Sequence, residues 1–212
     1  MDLSEPYSAV CPTLDGPVLD VLAQTSLPLT GREVARLARR GSERGVRLVL
    51  DRLVDQGLVT AQRAGPSWLF ALNRDHVAAA AVERLLHLRA ELFDRMRGDI
   101  EAWPIQPIHA SIFGSAARGD GTIRSDIDLL ILRPEDIAED DAAWREQVHA
   151  LAERIHRWSG NHASLAELSP KQLRLAARRR DPFLASVLET AVTLAGPELA
   201  DVLKSRRARR AA

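Results

Sequence analysis

The chain has 212 residues, with 29 basic and 29 acidic side chains in balance, 46% hydrophobic and 27% charged. That length and mixture fit one or two globular domains with a core of useful size, and zero net charge is no global pointer to nucleic acid. No apolar run approaches the length of about eighteen residues that a membrane helix needs. Met1-Asp2-Leu3-Ser4-Glu5 lacks the basic-then-apolar order of a signal peptide, and the single Cys11 excludes an intrachain disulfide. Together these point to a soluble cytoplasmic protein without a membrane partner.

Residues 1–13 contain Pro6 and Pro12 without periodicity and read as a flexible arm. From Asp15 the pattern is helical, with Val18, Leu19, Val21 and Leu22 on one face until Pro28. Thr30 followed three residues later by Glu33 has the capping-box spacing and opens a second helix, broken at Gly41. Ser42 is a further N-cap. The helix after it carries the stripe Val46, Val49, Leu50, Leu53 and Val54, and Gly57 ends it. Two short strands, 58–61 and 68–72, follow around the turn Arg63-Ala64-Gly65-Pro66-Ser67. Residues 14–74 therefore read as one domain.

The stretch 75–103 reads as one long connecting helix, closed by Pro104 and Pro107. A second domain, 104–200, begins with a strand at 108–113. A helix start follows, then a strand at 127–132, a helix at 141–158, a strand at 162–168 and helices at 170–179 and 183–195. Residues 201–212 form a basic tail with Lys204, Arg206, Arg207, Arg209 and Arg210. The Arg178-Arg179-Arg180 run reads as a solvated face, or as a contact for nucleic acid or an acidic partner.

The segment Ser111-Ile112-Phe113-Gly114-Ser115 carries an apolar strand into glycine, serine and a helix. Glycine lets backbone approach a phosphate, serine adds a hydroxyl, and a helix start offers free N–H groups. Ten residues, 116–125, separate Ser115 from Asp126-Ile127-Asp128. Residues two apart on a strand share a face, so both carboxylates can reach one metal while Ile127 and Leu129 enter the core. A divalent cation relieves the repulsion of two such carboxylates, and oxygen ligands suit Mg²⁺.

Gly114-Ser115-Ala116-Ala117-Arg118-Gly119-Asp120, then Ser125-Asp126-Ile127-Asp128-Leu129, resembles the DNA polymerase beta superfamily of nucleotidyltransferases, in its minimal nucleotidyltransferase branch. The resemblance implies a mixed α/β domain that transfers NMP from NTP to an acceptor hydroxyl with Mg²⁺ or Mn²⁺. It implies phosphate contacts from Gly114 and Ser115, further ones from Arg118 and Ser125, and metal binding by Asp126 and Asp128. Family members usually carry a third carboxylate on a later strand. Here Glu167 is either that third catalytic ligand or a strand-end charge. Minimal nucleotidyltransferases often act as antitoxin-type modifiers beside a toxin protein, which makes a protein acceptor one of the implied partners. Without that carboxylate, the domain would be a degenerate or sensory nucleotide-binding module.

The order of elements from Asp15 to Leu72 resembles a winged helix-turn-helix of bacterial transcription regulators, with Leu53-Val54-Asp55-Gln56-Gly57-Leu58-Val59 as its helix end and first wing strand. That resemblance implies DNA binding. The helix opened by Ser42 would enter the major groove, Arg44 and Arg47 would meet bases or phosphates, and Arg63 would meet the backbone or minor groove. Such regulators are commonly homodimers. The expected protein is thus α/β (α+β): a winged helix, a linking helix and a nucleotidyltransferase domain with a mixed sheet and flanking helices.

Overall fold

The computed structural model describes residues 1–208, with side chains described through Lys204. The chain divides into two compact units, Glu5–Arg89 and Met1–Ser4 together with Ala90–Ala212. Among the described residues, no helix is long and apolar enough to cross a membrane.

In the first unit, α1 (Asp15–Ala23) is followed by β1 (Leu29–Thr30), α2 (Gly31–Ala38), α3 (Glu43–Asp55), β2 (Val59–Ala64), β3 (Ser67–Leu72) and α4 (Ala79–Leu86). The capping box opening α2 is formed. Thr30 Oγ1 accepts from Glu33 N at 3.3 Å, and Glu33 Oε2 accepts from Thr30 N at 2.7 Å. The Thr30 N–H and the Thr30 hydroxyl both donate to Glu33 Oε2, and these bonds hold the Glu33 carboxyl below its ordinary value. Ser42 Oγ caps α3 by accepting from Gly45 N at 3.1 Å. Val46, Leu50 and Leu53 bury the α3 stripe against Val18, Leu22, Val34 and Phe70. The antiparallel sheet runs β1-β3-β2, with Leu29 opposite Phe70 and Val59 opposite Leu72.

Two segments of this region differ from the sequence expectation. Within 1–13, Pro6–Ala9 is a short 3-10 helix, Tyr7 is buried, and Leu3 sits in the core of the other unit. Leu3 N also donates to Gly121 O at 2.7 Å. Isolated anchoring residues of this kind carry no periodic signal. The stretch 75–103 is two helices, α4 and then α5 (Leu88–Glu101), interrupted at His87. The boundary between the units falls just beyond it.

The second unit contains α5, β4 (His109–Phe113), α6 (Gly114–Arg118), β5 (Ile127–Leu132), α7 (Ala142–Ser159), β6 (Ala163–Leu168), α8 (Pro170–Arg179), α9 (Pro182–Thr190), β7 (Val192–Ala195) and α10 (Leu199–Ala208). Its sheet has the order β6-β5-β4-β7, with β5 and β6 parallel and β4 antiparallel to both neighbours. The helix expected at 183–195 ends at Thr190, and Val192–Ala195 forms an edge strand instead. Pairing with β4 settles the state of this short apolar run, whose β-branched Val192 and Thr193 suit a strand.

Alternation along β5 feeds two cores. Ile127, Leu129 and Ile131 pack with α5 and α7 residues such as Met96, Ile100, Trp144 and Ile155. Leu130 and Leu132 pack on the opposite face with Leu173, Leu184, Val187 and Leu199. A strand covered on both faces reads as a nearly continuous apolar run, and Asp128 is the exception within it. Of the basic tail, residues 209–212 and the side chains of Arg206 and Arg207 lie outside the described residues.

Candidate functional site

β4 delivers its last residue, Phe113, directly opposite Asp128 of β5. The next residue, Gly114, has φ +67°, and a Cβ placed there would lie 2.6 Å from Asp128 Oδ2. Only glycine satisfies both conditions, because the left-handed backbone is costly for other residues and the added carbon would collide with the carboxylate. Gly114 N donates to Thr190 Oγ1 at 3.2 Å, which ties the end of α9 to this step. Ser115 follows, half-buried in the first turn of α6. Gly114, Ser115 and the Asp128 carboxylate therefore meet at one end of the sheet.

Asp126 is exposed immediately before β5, and Asp128 is half-buried. Burial raises the Asp128 carboxyl above its ordinary value, opposed by a hydrogen bond from Ser164. The Asp126 charge raises it further, and the Arg118 charge pulls it down. A carboxylate made costly by burial and by a like-charged neighbour favours a cation. Mg²⁺ is commonly held by one or two protein carboxylates, with waters and substrate phosphates completing the octahedron. Asp126 and Asp128 fit that donor set.

Glu167, which the sequence left as either a third ligand or a strand-end charge, stands apart from the two aspartates. β5 and β6 run in parallel register, with Asp128 opposite Ser164 and Ile131 opposite Glu167. Glu167 is displaced three residues along the strand, and alternation puts it on the opposite face from Asp128. There its Oε1 accepts from Arg133 Nε at 2.7 Å, and Arg133 is itself buried. Glu167 is the strand-end partner of a buried arginine and does not join Asp126 and Asp128. The residue beside Asp128 is Ser164, which sequence reading passed over because only the register identifies it. Among the described residues, no three His, Cys, Asp or Glu side chains are grouped to hold a metal ion.

The other phosphate candidates are partly committed. Arg118 Nε donates to Asp120 Oδ2 at 3.1 Å. Ser125 Oγ accepts from Thr122 N at 3.0 Å within the turn leading to Asp126. Asn161, only 2% exposed, holds that turn from below. Its Nδ2 donates to Ser125 O at 3.0 Å and Thr122 O at 3.3 Å. Asn161 is a second residue that the sequence did not single out. Its one visible signal is the Gly160-Asn161 step between helix and strand. His162 stacks on His156, with ring centroids 4.6 Å apart. An open cleft of about 500 Å³ between α5 and α7, lined by Asp99, Trp103, Gln147 and Arg154 among others, includes none of the candidate residues.

Residues 100–168 match the family model for a nucleotidyltransferase domain. The matched nucleotidyltransferase domain contains Gly114, Ser115, Asp126, Asp128 and Ser164, and covers roughly a third of the chain. No curated protein matches the chain. Similar solved structures include a toxin–antitoxin complex with AMP-PNP, at 16% identity and TM-score 0.37, covering 56% of this chain and 86% of that one. A mutant of the toxin–antitoxin pair MntA-HpeT stands at 15% identity and TM-score 0.37, with the same two coverages of 56% and 86%. Human N-acetylserotonin methyltransferase in complex with SAM has 20% identity and TM-score 0.29, covering 49% of this chain and 32% of that one.

In the first unit, the DNA-contact candidates occupy α3 and the hairpin. Ser42 is engaged as the α3 cap. Arg44 is exposed and has no ion pair among the described residues. Arg47 is exposed, but its Nε donates to Asp51 Oδ1 at 2.8 Å and its guanidinium lies 5.7 Å from the Phe70 ring centroid. Arg63, on β2, donates to Gly65 O at 3.4 Å. These positions lie on α3 and on the hairpin, with Arg47 the most constrained.

Proposed function

We propose that the second unit binds a nucleoside triphosphate as its Mg²⁺ or Mn²⁺ complex and transfers the NMP group to an acceptor hydroxyl. The observation that carries this reading is the approach of Gly114 to the Asp128 carboxylate, at the end of β4, with Asp126 immediately before β5 and its charge acting on Asp128. Asp126 and Asp128 would hold the metal, which would neutralise charge on the triphosphate. Gly114 and Ser115 orient the phosphates. The acceptor oxygen attacks the α-phosphorus, the bond to the β-phosphate oxygen breaks, and pyrophosphate leaves. The hydroxyl proton passes to solvent at the exposed Ser164 side. The acceptor is a hydroxyl of a protein, an RNA or a small molecule, and a toxin-type partner protein is one acceptor to assay.

The test is incubation with α-labelled NTPs and Mg²⁺ or Mn²⁺, comparing wild type with Asp126→Asn and Asp128→Asn. Label transfer that depends on both carboxylates is expected. No such transfer to protein, RNA or small hydroxyl acceptors would sink the transferase reading.

A second reading is favoured by Ser164. A serine in the register position beside Asp128 leaves the site without a placed general base, a group that contributes roughly 10²–10⁴-fold where present. On that reading the domain senses a nucleotide, and the first unit, as a winged helix, binds DNA through Arg44, Arg47 and Arg63. Support for the DNA part is the exposed Arg44 on α3, without an ion pair among the described residues, with Arg36 and Arg39 exposed on and just after α2. Full-length protein would then bind operator DNA with an affinity that falls steeply with salt and with Arg44→Ala. Unchanged binding in that variant would remove the support.

A further inference from the structure

Arg178-Arg179-Arg180 forms a strongly basic run at the end of α8, just before α9. Its place follows from connectivity. β5 and β6 are parallel, so α8 starts at the strand end remote from Asp128 and Ser164. It packs against β6 and buries Leu173 beside Leu130 and Leu132. The following helix, α9, is tied to the Phe113-Gly114 step at both of its ends. Phe183, its second residue, meets the Phe113 ring edge-to-face at 5.4 Å. Thr190, its last residue, accepts from Gly114 N. Phe113 in turn stands opposite Asp128. The α8–α9 turn is therefore carried back to the carboxylate end of the sheet.

Arg178, Arg179 and Arg180 are all exposed and have no ion pair among the described residues. Arg180 holds a left-handed backbone, φ 53°, without being glycine. The adjacent Asp181 spends one oxygen capping α9, accepting from Phe183 N at 2.9 Å. The site needs such cations. A metal–triphosphate complex is still anionic, and it docks on two carboxylates. Arg118 is already paired with Asp120. Guanidinium groups suit phosphate oxygens, which they bond with short, charge-assisted contacts.

We propose that the Arg178–Arg180 turn is the cationic jaw of the nucleotide site and binds the β- and γ-phosphates opposite Gly114 and Ser115. This rests on the nucleotide-binding reading above. The experiment measures binding of Mg²⁺–ATP and of Mg²⁺–tripolyphosphate to the full-length protein by calorimetry. Compared are wild type, a triple Arg178→Gln/Arg179→Gln/Arg180→Gln variant, and Asp126→Asn/Asp128→Asn. Thermal unfolding confirms that each variant is folded, and a triple lysine variant provides a milder change. The glutamine variant is expected to lose at least about tenfold in affinity for both ligands, with a shallower salt dependence, and the lysine variant to recover part of it. If the glutamine variant binds tripolyphosphate as wild type does, the jaw is overturned while the nucleotide reading stands. If wild type binds neither ligand, or binds both regardless of Asp126 and Asp128, the nucleotide reading itself falls and the jaw with it.

Discussion

Gly114 shows how tightly a single residue can be constrained by its site. Adding one methyl group there meets both a left-handed backbone, at about 1–2 kcal/mol, and a carboxylate oxygen 2.6 Å away. Gly114→Ala should therefore cost stability of that order and also displace Asp128. We expect at least about a tenfold loss of Mg²⁺–ATP affinity, read by calorimetry beside a urea unfolding curve. His109 is constrained differently. It is fully buried, and its Nδ1 is 2.8 Å from Pro197 O, a pure acceptor, so Nδ1 carries the proton. Nε2 then accepts from Ser111 Oγ at 2.9 Å. Burial lowers its pKa below the ordinary imidazole value. The folded state thus prefers neutral His109, and the unfolded chain takes up a proton first as pH falls. Stability from this group is complete above about pH 6.5 and declines below it, down to the lowered folded value. Urea midpoints for wild type and His109→Gln, measured from pH 7.5 to 5.5, should show a steeper acid decline in wild type. Parallel declines would refute this.

At the scale of elements, β6 decides which reading of the site survives. Its register gives Ser164 to Asp128 and Glu167 to Ile131. Glu167→Gln should leave nucleotide binding unchanged. It should destabilise the unit by up to about 3 kcal/mol, because it removes the charge facing the buried Arg133. Installing a carboxylate where the register calls for one, Ser164→Asp, should raise NMP transfer by about a hundredfold, seen in single-turnover assays. A variant with wild-type transfer and intact metal binding would show that the missing base is not what limits this site. Helix caps were legible because a cap is local: Thr30 and Ser42 bond within three residues of themselves. β7 was not, because its state depends on a partner strand about eighty residues earlier in the chain.

For the whole molecule, the division into units has a thermodynamic consequence. Each has its own apolar core, and the nucleotide candidates all lie in the second. A ligand that binds only the native form of one unit stabilises that unit by about 2.7 kcal/mol at a hundred times its Kd. Calorimetric scans with Mg²⁺–ATP should therefore shift the transition of Ala90–Ala212 and leave that of Glu5–Arg89 in place. Equal shifts in both would mean that the nucleotide couples the units.

The sequence by itself determined the local chemistry: the glycine–serine step into a helix, two aspartates two residues apart at the start of one strand, the capped helices and the arginines on α3. Each depends on neighbours within a few residues, where spacing and side-chain type are sufficient. Only the tertiary structure decided what stands beside those groups. It put Ser164 rather than Glu167 next to Asp128, Asn161 under the turn before Asp126, and Thr190 against Gly114. Strand register and helix return are set by burial of two separate cores, and a shift of even one residue would exchange their faces. The spacing of a motif within one strand cannot report which residue of another strand completes it.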